Sequence, residues 1–237
     1  MDIFLHTNDI ARCLGMSVRD TEKLLRRSPL QCRMVDGRKM YFRDDLLLWL
    51  QNEFDSLTVE KLRDMDLAGA STTGMSHDVP FVTELLSPGR IHLDVSANTS
   101  SSMIRKLAGY VCRTGLLYDH DELIRQISAR EDVGSTALDN GVAFPHPKSI
   151  MKVYSEGHLL LLARAAHSIP FGGPKGRLTS LFFLLFFPRP DMHLHILARL
   201  NRMIRDREFL NSLLQTGTEE KALSIIETRE RELIEQH

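Results

Sequence analysis

Apolar positions in the first fifth of the chain recur first at helical and then at strand spacing. Ile10, Ala11 and Leu14 share one helical face behind Thr7, whose hydroxyl suits an N-cap, and Gly15 stands where a left-handed C-terminal cap belongs. Ser17 predicts the start of a second helix over Val18 to Arg27, with Val18, Thr21, Leu24 and Leu25 on one side. The run from Cys32 to Phe42 is split by Asp36-Gly37, a dipeptide that tolerates positive φ, and predicts a β-hairpin. Asp44 then suits the N-cap of a helix bearing Leu46, Leu47, Trp49 and Leu50. Helix, tight turn, helix, hairpin, helix is the order of a winged helix-turn-helix, the reading for residues 1–54.

Residues 55–79 read as a joint. An amphipathic helix is expected over 57–67, followed by a small, polar, flexible linker from Ala68 to Asp78 centred on Ser71-Thr72-Thr73-Gly74. Residues 80–237 alternate the two periods. Helices are expected over Phe81 to Leu86, Met103 to Cys112, Asp119 to Arg130, Met192 to Arg205 and Glu219 to Ile234, and strands over Ile91 to Val95 and Val142 to Phe144. Leu159 to Ala163 and Leu181 to Phe187 are continuous apolar runs, the mark of strands buried on both faces, so Phe182, Phe183, Phe186 and Phe187 are assigned to the core. The expected fold class is α/β, a mixed sheet flanked by helices on both faces, with the small winged domain at the N-terminus.

Composition narrows the function. At 43% hydrophobic and 26% charged residues with a formal net charge of -1, the chain is an ordinary globular protein and not a basic one overall. Its longest apolar run, Leu178 to Phe187, is shorter than the roughly 20 residues a bilayer span needs. The opening Met1-Asp2-Ile3-Phe4 lacks a basic signal region, and Cys13, Cys32 and Cys112 have no metal-ligand spacing. The expectation is a cytoplasmic protein with reduced thiols, no membrane insertion and no metal. The Gly172-Gly173-Pro174-Lys175-Gly176 run lacks the spacing of a nucleotide loop, and no cofactor is expected.

Charge is nonetheless uneven. Arg19, Lys23, Arg26, Arg27, Arg33, Arg38, Lys39 and Arg43 stand against Asp20, Glu22 and Asp36. Such a patch predicts that Arg19, Lys23, Arg26 and Arg27 face a major groove of double-stranded DNA while Arg38 and Lys39 on the wing reach phosphates. The competing reading is a solvated basic face on a domain that docks a protein.

The candidate chemistry centres on Asn140-Gly141-Val142-Ala143-Phe144-Pro145-His146-Pro147. A tight turn, a short strand and two prolines that restrict their neighbours predict a histidine on a stiff, extended rim. Arg130 upstream offers a guanidinium and His193 downstream a second imidazole. His195, two residues from His193 on a helix, points elsewhere, which disfavours a metal pair.

Three motifs stand in order: Arg130-Glu131-x-x-Gly134-Ser135-Thr136, Gly141-Val142-Ala143-x-Pro145-His146 and His193-Leu194-x-x-Leu197-Ala198-x-Leu200. With the opening Phe81-Val82-Thr83-Glu84-Leu85-Leu86-Ser87-Pro88, they make residues 80–235 resemble the mannitol/fructose/nitrogen-regulatory class of phosphotransferase-system IIA domains. The resemblance implies that His146 accepts a phosphoryl group from a histidine phosphocarrier protein and passes it on, assisted by Arg130 and His193. That is the work of a phosphoryl-transfer protein and not of a turnover enzyme on a small substrate. Guanidinium and imidazole donors suit the charge of a transferring phosphoryl group. Pro147-Lys148 departs from the glycine and basic residue that many members carry after the histidine, and the stretch from Ile169 to Arg177 is more basic than the resemblance leads one to expect.

Residues 3–50 resemble the excisionase/MerR-like winged-helix family, on Thr7-Asn8-Asp9-Ile10-Ala11-Arg12, Leu14-Gly15-Met16-Ser17 and Gly37-Arg38-Lys39-Met40-Tyr41-Phe42-Arg43 followed by Leu46 to Leu50. Together the resemblances imply a regulator whose DNA binding answers to phosphorylation, and a homodimer suits such a domain. Two alternatives remain open: a phosphoryl carrier whose N-terminal domain docks a protein partner, and a IIA-like sensor that is not phosphorylated.

Overall fold

The computed structural model describes residues 4–54, 57–73, 81–87, 89–117, 119–149 and 157–235. A short strand, β1 (Phe4–His6), runs without a break into α1 (Thr7–Leu14), so the helix cap falls on His6 and not on Thr7. The His6 ring accepts from the Asn8 N–H, and the Asp9 carboxylate accepts from the His6 N–H. Gly15 closes α1 at φ 59°, and a Cβ there would meet the Asp64 carbonyl at 2.6 Å, so glycine is required twice over. Ser17 caps α2 (Val18–Arg27) as expected; Thr21 and Leu25 are buried while Val18 is exposed, so the buried stripe is narrower than the sequence reading.

Strands β2 (Cys32–Val35) and β3 (Arg38–Phe42) form the expected hairpin, with Asp36 at φ 49° and Gly37 at φ 74°. β1 adds to the other side of β3, giving the antiparallel order β1-β3-β2. The next helix, α3, spans Arg43–Glu53. Its N-cap is Phe42 without a side-chain cap, and the Asp44 carboxylate binds the Arg43 guanidinium instead, 3.1 Å away. Arg43 is buried, which removes it from the exposed basic face. Burial pushes the Cys13 thiol up to about 12, so it stays a neutral packing group.

Helix α4 (Val59–Thr73) continues through most of the expected linker. Alanine, serine and threonine extend a helix at small cost, and the single Gly69 is not enough to stop it. The rest of that linker, residues 74–78, lies outside the described residues. Met1–Val79 and Arg189–Arg202 form one compact unit, the latter being most of α8 (Pro190–Ile204).

The second unit comprises Pro80–Pro188 and Met203–His237. Its elements are α5 (Phe81–Leu85), β4 (Ile91–Val95), α6 (Ser100–Arg113), α7 (His120–Glu131), β5 (Val142–Ala143), β6 (Leu159–Ile169), β7 (Thr179–Phe186), α9 (Arg207–Gln215) and α10 (Glu219–Glu235). The sheet order is β4-β6-β7-β5, with β6 and β7 antiparallel and the two outer pairs parallel. This is a mixed sheet with flanking helices. Met103, Leu107, Leu123 and Ile127 from α6 and α7 pack on Leu161, Ala163, Phe182 and Leu184 of the central strands.

Two buried charges hold the outer helices. Glu230 on α10 accepts from the N–H groups of Val82 and Thr83 and from the Thr83 hydroxyl, each at 2.8 Å, satisfying the first turn of α5. Arg164 on β6 donates to the carbonyls of Leu213, Leu214 and Thr216, where α9 ends, and pairs with Asp94 at 2.9 Å. Helix α9 has no counterpart among the expected elements; Asp206 starts it by accepting from the Glu208 and Phe209 N–H groups.

Candidate functional site

His146 is placed by hydrogen bonds on both sides of it. Asn140 accepts from the Val142 N–H, and Gly141, at φ 82°, turns the chain into β5. Beyond β5 the Pro145 carbonyl still accepts from Leu185 on β7, at 2.9 Å. After the histidine, the Lys148 N–H donates to the Gln126 carbonyl and the Ser149 N–H to the Gln126 side chain, both at 3.0 Å. Pro147 therefore sits between two anchored points at a position that needs no donor. The segment is stiff, as its prolines predict, but it is not a rim: His146 is only 6% exposed.

The anchor through Gln126 matters because Gln126 and Arg130 stand on the same helix, α7, one turn apart. Arg130 is 2% exposed and its Nε donates to His146 Nε2 at 3.0 Å. On its other side, His146 Nδ1 lies 2.8 Å from the Phe144 carbonyl. A carbonyl only accepts and a guanidinium only donates, so the proton sits on Nδ1 and the lone pair on Nε2. The ring is neutral, with its nucleophilic nitrogen facing a cation.

Arg130 is fixed in turn by donating to the Gly134 carbonyl at 2.6 Å. The turn carrying that carbonyl is shaped by Glu131, which accepts from the Thr136 N–H at 2.9 Å and from the Thr136 and Ser135 hydroxyls. Burial pushes the Glu131 carboxyl above its usual range, against the pull of Thr136, Arg130 and Ser135. Burial also lowers Arg130, an effect Glu131 opposes, and a guanidinium remains charged regardless. Ser135 donates to the Phe171 carbonyl, and a Cβ on Gly172 would strike Ser135 at 2.8 Å, so the basic Ile169–Arg177 stretch is keyed to this turn by a glycine at φ 92°.

The structure thus brings Arg130 and His146 together. His193 belongs to the other unit, where it is 1% exposed and its Nε2 lies 2.5 Å from Gln51 Nε2. His195 is buried as well, 3.0 Å from Asp66. Arg19, Lys23, Arg26, Arg27, Arg38 and Lys39 are all exposed. Lys23 pairs with Asp20 at 3.1 Å and Arg26 with Glu22 at 3.6 Å, both at the surface. Nothing in the sequence marks Gln126 or Gln51, and Glu131 stands out only as part of the Arg130-Glu131-x-x-Gly134-Ser135-Thr136 motif. The motif was the available signal for Glu131; for the two glutamines there was none.

Residues 84–229 match the family described as "Phosphoenolpyruvate-dependent sugar phosphotransferase system, EIIA 2". A nitrogen regulatory protein of Bradyrhizobium diazoefficiens is 28% identical over 150 residues, covering 61% of this chain and 94% of its own length. The fructose-like EIIA component of Escherichia coli K12 is 27% identical over 137 residues, covering 57% of this chain and 90% of its own. The crystal structure of nitrogen regulatory protein IIA-Ntr from Neisseria meningitidis superposes with a TM-score of 0.55 at 25% identity, over 62% of this chain and 99% of that one.

Proposed function

Because this chain belongs to the phosphoenolpyruvate-dependent sugar phosphotransferase system EIIA 2 family, we propose that it relays a phosphoryl group through Nε2 of His146. The observation that carries this reading is the tautomer set by Phe144 and Arg130. The donor is a histidine phosphocarrier protein bearing an N-linked phosphoryl group. The Nε2 lone pair attacks phosphorus in line, the P–N bond to the carrier breaks, and its electron pair returns to the carrier's imidazole. The His146 ring becomes cationic, keeping its proton on Nδ1 against the Phe144 carbonyl. Arg130, whose Nε occupied the lone pair, turns its donors to the phosphoryl oxygens, and His193 supplies a further donor.

The readout is DNA binding by residues 1–54 acting as a winged helix-turn-helix, with 55–79 as the connection and 80–237 as the phosphoryl-accepting domain. Six exposed cations on α2 and β3 support it, since the surface pairs of Lys23 and Arg26 are solvent-screened and yield readily to phosphates. Phosphorylation adds an anionic phosphoryl group, partly offset by the cationic ring, and this changes the balance that DNA binding reads.

Incubation with a phosphorylated phosphocarrier tests the relay: acid-labile label is expected on the wild type and absent from His146→Ala. Label that survives this substitution, or none on the wild type, overturns it. Gel retardation on duplex DNA at low salt tests the readout, with binding lost in Arg26→Ala/Arg27→Ala. Label without any DNA binding would favour a carrier whose N-terminal domain docks a protein.

A further inference from the structure

His193 lies in the first unit, and that unit fixes it twice. Asp66 on α4 holds α8 through three side chains: His195 Nε2 and Arg199 Nε, each 3.0 Å from Oδ1, and Arg202 Nη1, 2.5 Å from Oδ2. These residues are all buried, so the helix carrying His193 is clamped in translation and rotation. The imidazole is then met by a side chain 142 positions away: Gln51 Nε2, near the end of α3, lies 2.5 Å from His193 Nε2. An amide nitrogen has hydrogens and no usable lone pair, so Gln51 donates and His193 Nε2 accepts.

We propose that Gln51 is a positioning residue for phosphoryl transfer, fixing His193 as the tautomer that bears its proton on Nδ1. This rests on the reading of His193 as a donor to the phosphoryl group. With Nε2 engaged as an acceptor, the hydrogen bond that His193 gives has to leave from Nδ1. An apolar side chain at position 51 releases this choice and lets the two tautomers mix. A carboxylate there reverses it, because it accepts only and draws the proton onto Nε2. A residue of the N-terminal unit, outside the matched stretch 84–229, thereby sets the protonation pattern of the second histidine.

Nitrogen-15 NMR of the full-length chain, with the His193 signals assigned by loss in His193→Gln, reads the tautomer without any phosphoryl donor. The wild type is expected to show an acceptor-type Nε2 and a protonated Nδ1. Gln51→Met is expected to average the two, and Gln51→Glu to protonate Nε2. In parallel, the initial rate of acid-labile labelling of His146 is expected to fall about tenfold in both variants, the factor that about 1.4 kcal/mol for one hydrogen bond gives. Gln51→Asn, one methylene short of the ring, behaves like Gln51→Met, while unchanged Trp49 fluorescence reports an intact unit. A protonated Nε2 in the wild type, unchanged nitrogen signals in the variants, or altered signals with an unchanged labelling rate each overturn the proposal. A wild type that takes no label overturns the relay reading instead, and the nitrogen signals still report whether Gln51 sets the tautomer.

Discussion

Asp66 gathers three buried side chains of α8 on one carboxylate. Asp66→Asn keeps the side-chain shape and removes one negative charge from a buried site that holds Arg199 and Arg202 and contacts His195. At an effective dielectric near 20, each guanidinium at such a distance gains about 4 kcal/mol of attraction, which desolvation largely offsets. Deleting the anion shared by two buried guanidiniums breaks the cluster, at a cost of about 3–5 kcal/mol. The chain's one tryptophan, Trp49, sits on α3 of the same unit, so urea unfolding followed by its fluorescence reads this unit directly. With a slope of about 2 kcal/mol/M, the midpoint is expected to fall by about 2 M. The pH dependence has a defined sign. Burial alone would raise the Asp66 carboxyl, but the His195 hydrogen bond with Arg199 and Arg202 holds it below its usual value. A depressed folded-state value means that stability is complete above the ordinary carboxylate range and drains away as pH falls through the lower folded value. Asp66→Asn should therefore lack that acid limb. A midpoint shift below about 0.5 M, or an acid limb that persists unchanged, would refute the assignment.

Three further outcomes follow from other sites. Arg130→Lys keeps the charge but not the fork that binds both His146 and the Gly134 carbonyl, so the labelling rate of His146 is expected to fall about 10²-fold while circular dichroism is unchanged. Glu131 has a folded-state carboxyl raised by burial, so the folded protein holds its proton more tightly and wild-type stability declines as pH rises above the ordinary carboxylate range; thermal melts of Glu131→Gln across that range should show a flatter profile. Arg164→Met strands the carbonyls at the end of α9 and the Asp94 carboxylate, which at about 3 kcal/mol lowers the melting temperature by roughly 6–12 °C; a shift under about 2 °C counts against the capping role.

The pairing of Arg130 with His146 was legible through the ordered motifs that carry the family resemblance. The burial of His146 was not, since flanking prolines restrict φ and ψ without saying what covers the ring. The caps expected at Thr7 and Asp44 lie one and two residues late, because β1 and β3 feed directly into α1 and α3 and put the caps on their last residues, His6 and Phe42. Arg43 looked like part of the basic face only because charge runs along a sequence carry no sign of which side chain turns inward. Gln51, Asp66 and Glu230 are ordinary polar residues on helices, and the partners named for them lie 129 to 148 positions away. No periodicity links such pairs; only the packed chain brings them together.

The two histidines assigned to the relay differ in what sets their protons. His146 takes its tautomer from a backbone carbonyl two residues upstream, a group that every side chain at position 144 supplies equally. Substitution of that side chain leaves the acceptor in place, so the nucleophilic nitrogen of His146 is a property of the chain's path between β5 and Pro147. His193 instead meets a side chain, and one from a segment the family match does not include. Its proton pattern is open to change by a single substitution at Gln51, at no cost to the sheet that presents His146. In the proposed relay the fixed histidine carries the bond-making step, where a wrong tautomer abolishes attack. The same proposal gives the adjustable one only a supporting hydrogen bond, where a change alters the rate by a modest factor. In the proposed relay, a substitution at Gln51 therefore acts on the histidine whose contribution is graded and leaves the Phe144 carbonyl that sets His146 in place.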